Sequence, residues 1–215
     1  LSLWKRWTGA LARARYLIVL AVLFRLQLWI FAWGQSPWQD LLKVDVLNLM
    51  GVTLLLLSPL AILSLAHRAK WAAIAGFGVA FASPLVSAID LSWMNPFVSA
   101  YFSPNLLYFS IFPWASFIAL GVAGGSLLKL SRPEHLDRFM QWTAIVGFGL
   151  ILAAQFFSNI PYSLYDKTDF WLNSPALVLI KIGVAMLVAS FAYLWTERAW
   201  GGSKGWLRIL GTNSL

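Results

Sequence analysis

The sequence predicts an all-α fold, a polytopic transmembrane helix bundle of about six membrane helices with its N-terminus in the cytoplasm. Three observations carry this. Of 215 residues, 60% are hydrophobic and only 11% charged, with a mean hydropathy of +0.73; a soluble domain carries about a quarter charged residues. The apolar residues gather into six runs near the roughly 20 residues that cross a bilayer core. Basic residues fall in alternate connecting segments, the pattern of cytoplasmic loops. Runs of this length without strict alternation are helices rather than barrel strands.

The first run, 16–33, follows a segment holding Lys5, Arg6, Arg13 and Arg15, and lacks the small-residue cleavage site of a signal peptide. The second, 45–65, opens within Asp40-Leu-Leu-Lys-Val-Asp45-Val-Leu-Asn48-Leu-Met-Gly51. The third, 71–89, follows His67-Arg68-Ala69-Lys70, read as an inner loop. The fourth, 109–128, carries Phe112-Pro113-Trp114, where proline suits a first turn or a kink. It also carries a GxxxG face at Gly121 and Gly125, read as a close helix-packing surface and the place for a homodimer contact. The fifth and sixth are 139–158 and 175–195.

With the N-terminal segment inside, the inner segments hold twelve of the sixteen Lys and Arg residues. The outer loops hold only Lys43 and Lys167, beside Asp40, Asp90, Asp166 and Asp169. Topology and anionic membrane lipids therefore account for the net charge of +8, and no nucleic-acid partner is needed. The absence of cysteine excludes disulfides, thiolate metal sites and thiol nucleophiles, and two histidines are little material for a metal cluster. No metal is expected. His67 and His135 lie in inner segments as ordinary solvated histidines, and no nucleophile triad or HExxH motif is present.

The outer loops 90–107 and 159–174 are rich in proline, asparagine, serine and aromatics. Each aromatic reads first as an interfacial anchor; together they are able to line a site for a polar ligand. No internal repeat supports an inverted-repeat transporter.

A few polar residues are costly where they stand. Arg25 lies about nine residues, roughly 13 Å, from the inner boundary, and its side chain leans further inward. That is too deep for snorkelling, so Arg25 is expected to face a polar cavity or a partner within the bundle, with Trp29 at i+4 placed to stack on it. Asp45 and Asn48 share a helix face at i, i+3; Asp45 suits a helix start, and Arg25 is its candidate partner despite a difference in depth. Lys181 sits two turns from the outer end of its helix and leans outward, so snorkelling suffices.

Several stretches together resemble bacterial multi-pass membrane proteins related to heparan-α-glucosaminide N-acetyltransferase. They are Phe24-Arg25-Leu26-Gln27, the segment from Pro37-Trp38 through Asp45 and Asn48 to Gly51, Phe112-Pro113-Trp114 with the Gly121 region, Asp169-Phe170-Trp171-x-x-Ser174-Pro175, and Leu210-Gly211-Thr212-Asn213-Ser214-Leu215. The resemblance implies an acyltransferase of the bacterial cytoplasmic (inner) membrane. Its donor is cytosolic acetyl-CoA or another acyl-CoA, and its acceptor a glycan or lipid-linked molecule on the outer face. It puts Arg25, Asp45, Asn48, Trp114, Asp169, Trp171 and Asn213 forward as substrate-binding residues. Arg25 or Asn48 would then hold the developing oxyanion and Asp45 would orient a base. In the relatives the catalytic histidine follows the first helix, and no stretch here matches it. Either the base precedes Leu1 or this branch lacks the activity. The chain is accordingly read as a single transmembrane domain, 1–215, cut from a longer protein. The alternative readings are a transporter or lipid- or glycan-handling protein whose path Arg25, Asp45 and Asn48 line, and a non-catalytic membrane scaffold.

Overall fold

The computed structural model describes residues 2–104, 108–160, 165 and 168–197. Among them the regular structure is entirely helical, and five helices are long and apolar enough to cross a membrane.

Helix α1 spans Leu3–Phe31. At 29 residues it is roughly 43 Å long, well beyond a bilayer core of about 30 Å. The excess is the basic segment: Lys5, Arg6, Arg13 and Arg15 continue the helix instead of preceding it, since no proline or glycine-rich turn intervenes and Ser2 caps the first turn by accepting from the Lys5 amide. A turn closed by Gly34 at φ +81° and a 3-10 turn, Trp38–Leu42, lead to α2, Val46–Leu57. Pro59 has no amide hydrogen to continue the ladder, so α2 gives way to a 3-10 turn at Ser58–Ile62. The second apolar run is therefore a shorter helical segment, Val46–Ile62, than its 45–65 expectation.

Helix α3, Leu65–Ala88, begins earlier than expected. Ser64 caps it, accepting from the His67 amide at 3.5 Å and bonding the His67 ring at 2.8 Å. His67, Arg68 and Lys70 thus form its first turns and are not a loop. The connection between α3 and the next long helix contains a short helix α4, Pro96–Phe102, capped by Asn95. Helix α5 is Ile111–Leu130, with Phe112 held extended ahead of Pro113, as a residue before proline prefers. Helices α6, Leu136–Ser158, and α7, Pro175–Glu197, complete the described elements.

The chain forms two compact units. In the first, residues 1–130 and 160–178, α3 packs along α5, α1 along α2, and α2 against α5. In the second, 131–159 and 179–215, α6 meets the part of α7 beyond Val178. Burial follows membrane logic. The buried positions of α1 are Ala14 and Ala21, while Val22, Leu23 and Ile30 face outward. Ala69, Ala72, Ala80, Ser83, Ala115, Ser116, Ala119 and Ala123 fill the α3–α5 seam region. Small residues let helix backbones approach, and large apolar ones are left to face lipid.

Glycine marks three close approaches: Gly51 against Ile18, Gly76 against Leu120, and Gly147 against Gly183. The GxxxG face is not one of them. A Cβ at Gly121, Gly124 or Gly125 would meet nothing within 4 Å among the described residues, so the packing role expected there falls instead to Gly76 and to the alanines and serines of α3 and α5.

Candidate functional site

Arg25 and Asp45 form the site's centre. Arg25 Nε lies 3.0 Å from Asp45 Oδ2, and the two side chains keep only 19% and 15% of their surface exposed. The expected partner is found, and the local geometry explains how the depth difference closes. The 3-10 turn Trp38–Leu42 and the buried Val44 fold the chain back against α1, so α2 starts below the end of α1, level with Arg25, which is six residues or about 9 Å before Phe31. Asp45 is at the same time the N-cap of α2: Oδ1 accepts from the Asn48 amide at 2.8 Å. One carboxylate thus starts a helix and neutralises a cation, which removes much of the cost of placing either charge here.

Asp45 uses both oxygens in this way, and Arg25 uses only Nε. Its two terminal nitrogens have no acceptor among the described residues. The half-buried Asn48 amide side chain, one turn along α2, also has none. Trp29 packs edge-on against Trp33, ring centroids 4.7 Å apart, in place of the expected stacking on Arg25, and its enclosed Nε1 has no acceptor among the described residues. The constellation is rich in unused donors.

One turn inward from Asp45, Leu49 joins Ile111 and Ala115 in a small core, against which Val52, Tyr101, Phe112 and Trp114 pack. Trp114 also meets Phe109 and Phe117 edge-on or tilted. Tyr101 of α4 was not a sequence candidate; only the aromatic richness of 90–107 signalled it. Its phenol is held above the ordinary value of 10.0, first by burial and second by the nearby Asp45 carboxylate. Both effects favour the neutral form, so Tyr101 is a hydroxyl donor at neutral pH. Its stabilising contribution is complete below pH 10 and is lost as pH rises through the raised folded value. A phenolate absorbance titration of the protein and of Tyr101→Phe should differ by one group ionising later than the exposed tyrosines. A difference group ionising at or below pH 10 would refute this.

Asp169 and Trp171 belong to a turn held by α3. Asp169 Oδ1 accepts from the Trp171 amide at 2.9 Å, and the Asp169 carbonyl accepts from Leu172, Asn173 and Ser174. Asn173, 4% exposed, takes the Asp169 amide on Oδ1 at 2.9 Å and donates from Nδ2 to Ser87 Oγ at 2.7 Å. Asn173 is the residue that fixes this turn, and nothing in its spacing distinguished it from its polar neighbours. Trp171 itself is 72% exposed and packs edge-on with Phe170. The structure therefore joins Arg25 to Asp45 with Asn48 one turn along α2, places Trp114 against the Leu49 core, and places Asp169 and Trp171 on the α3-bound turn. Asn213 lies outside the described residues. His67 heads α3 and His135 precedes α6, and no group of three His, Cys, Asp or Glu side chains able to hold a metal occurs among the described residues.

A family model described as heparan-α-glucosaminide N-acetyltransferase, catalytic, matches residues 2–165. This range takes in Arg25, Asp45, Asn48, Tyr101 and Trp114 and ends before Asp169. No curated protein and no solved structure matches the chain.

Proposed function

Because the chain belongs to the heparan-α-glucosaminide N-acetyltransferase catalytic family, we propose that it is an integral-membrane acyltransferase of the bacterial cytoplasmic membrane. It takes an acetyl or other acyl group from acyl-CoA on the cytosolic side and passes it to a glycan or lipid-linked acceptor on the outer side. Family membership supports N-acetyltransferase-type chemistry at a membrane; donor, acceptor and sidedness are this reading's own.

The observation that carries it is the Arg25–Asp45 pair with its surplus of donors. In acyl transfer the acceptor's nitrogen or oxygen forms a bond to the acyl carbonyl carbon and loses a proton. The carbon–sulfur bond then breaks and CoA leaves as the thiol. Negative charge develops on the carbonyl oxygen between those steps, and fixed donors there lower the barrier. Arg25, held through Nε by Asp45, keeps its terminal nitrogens for that oxygen, with the Asn48 amide one turn away. Tyr101 adds a neutral hydroxyl. No base is assigned among these residues. Trp114 and Trp171 supply aromatic faces of the kind on which sugars stack.

The test is transfer by proteoliposomes loaded with radiolabelled acetyl-CoA and supplied outside with glucosamine-terminated oligosaccharides. Labelled acceptor should appear outside, saturably in acetyl-CoA. Folded protein that neither binds acetyl-CoA nor labels any acceptor would sink the enzyme reading and favour the transporter or scaffold.

A further inference from the structure

The second unit holds a cavity of its own. Helices α6 and α7 run antiparallel in constant register, joined at three levels. At Gly147 and Gly183 the backbones touch: a Cβ on either would meet the other's carbonyl oxygen at 2.9 or 2.5 Å. Seven residues on, Ser190 Oγ donates to the Met140 carbonyl at 3.1 Å and to the Met186 carbonyl at 3.0 Å. Three further, the Tyr193 hydroxyl donates to Asp137 Oδ1 at 2.6 Å. Beside this seam lies a wedge of about 550 Å³, a volume usual for small-ligand sites. Its floor is Met140, Ala144, Ile145 and Leu194, and its mouth carries Asp137 and Gln141.

The mouth is dipolar. Asp137 gives one oxygen to Tyr193, and its other oxygen has no partner among the described residues. Arg138 is not itself a lining residue, but it is exposed and shares a helix row with Gln141 and Ile145 of the lining, at i+3 and i+7, which puts its cation within reach of the mouth. The wedge opens at the end that the basic segment 129–138 assigns to the cytoplasmic face. Trp142 and Trp195, at 60% and 36% exposed, stand near that end, as interfacial anchors do. A carboxylate beside a cation, above an apolar slot open to lipid, matches a zwitterionic headgroup carrying an N–H donor and a phosphate, with a chain attached.

We propose that this wedge binds one aminophospholipid of the inner leaflet. Its primary ammonium bonds Asp137, its phosphate faces Arg138, and one acyl chain lies over Met140, Ala144, Ile145 and Leu194. A quaternary headgroup has no N–H for Asp137, and an anionic glycerol headgroup is repelled by it. The proposal rests on neither the Arg25 constellation nor the transfer reaction.

Native mass spectrometry of the purified protein, exchanged in turn with phosphatidylethanolamine, phosphatidylcholine and phosphatidylglycerol of identical chains, tests it. One tightly held phosphatidylethanolamine should be retained about fivefold over the other two, the factor for one charged contact of about 1 kcal/mol. Asp137→Asn should level the three. Ile145→Trp, a change at a position 60% exposed and so compatible with folding, should fill the wedge and remove the tightly held lipid. Equal retention of the three lipids by the unaltered protein overturns the proposal. So does unchanged retention in Ile145→Trp, or preferential uptake of a long-chain acyl-CoA in place of the lipid. The unaltered protein and Ile145→Trp decide even if Asp137→Asn does not fold.

Discussion

If Arg25 holds the developing oxyanion as proposed, Arg25→Ala should lower acyl transfer by at least about 100-fold, the usual loss for one fixed donor there. It also lowers stability, because it leaves Asp45 charged, only 15% exposed and without its cation. Breaking an enclosed ion pair from one side costs about 3–5 kcal/mol. The value here should fall at or just below that range, since Asp45 retains the Asn48 amide. Activity and folding separate in Arg25→Lys, which restores a cation but not a planar guanidinium with one nitrogen on Asp45 and two to spare. Thermal unfolding in detergent should recover most of the loss in this variant, while transfer stays depressed. Full activity in Arg25→Lys would reduce Arg25 to a structural counter-ion, and wild-type transfer in Arg25→Ala would remove it from the site. The double substitution Arg25→Ala with Asp45→Ala should be less destabilised than the sum of the two single changes, since the buried charge left by each is absent from the pair.

Arg25 could be singled out in the sequence because a charge in mid-span has so few explanations. Asp45 was legible for a different reason: an acidic residue ahead of an apolar run is a helix start. Their contact was less legible, because it depends on how the chain between them folds. The 3-10 turn Trp38–Leu42 and buried Val44 set the level at which α2 begins, and no periodicity encodes that level. Tyr101 and Asn173 were invisible for the same reason. Each acts through a long-range contact, Tyr101 near Asp45 and Asn173 on Ser87, from within a loop whose local sequence shows only aromatic and polar richness. The six apolar runs all emerged as helical, since bilayer thickness fixes their scale. Their ends shifted where capping outweighed charge. Ser64 starts α3 ahead of Arg68 and Lys70, and Ser2 starts α1 ahead of four basic residues. Charge sets which side of the membrane a segment lies on; it does not stop a helix.

The glycines give the other large prediction. Gly121 and Gly125 carry the recognised spacing, yet Gly147 and Gly183, on different helices and in no motif together, are where backbones meet. A methyl group at Gly147 would stand 2.9 Å from the Gly183 oxygen and 3.0 Å from Met186 Cβ; at Gly183 it would stand 2.5 Å from the Gly147 oxygen and 2.7 Å from Ile151 Cγ1. A flexible side chain can rotate away, but a helix carbonyl moves only with its helix, so the α6–α7 seam must open. Gly147→Ala or Gly183→Ala should therefore cost about 1–3 kcal/mol, toward the upper end for Gly183, and should stretch the Ser190–Met140 and Tyr193–Asp137 bonds that depend on the same spacing. Gly121→Ala and Gly125→Ala meet open space and gain helix propensity, so they should be neutral or stabilising by up to about 1 kcal/mol. Thermal unfolding of the four variants in one detergent separates the cases. If the ranking came out reversed, the seam would not be where α6 and α7 touch, and the lipid wedge beside it would lose its geometric basis. The reason for the expected order is that a spacing motif states which residues share a face, whereas the energetic cost depends on what lies opposite that face.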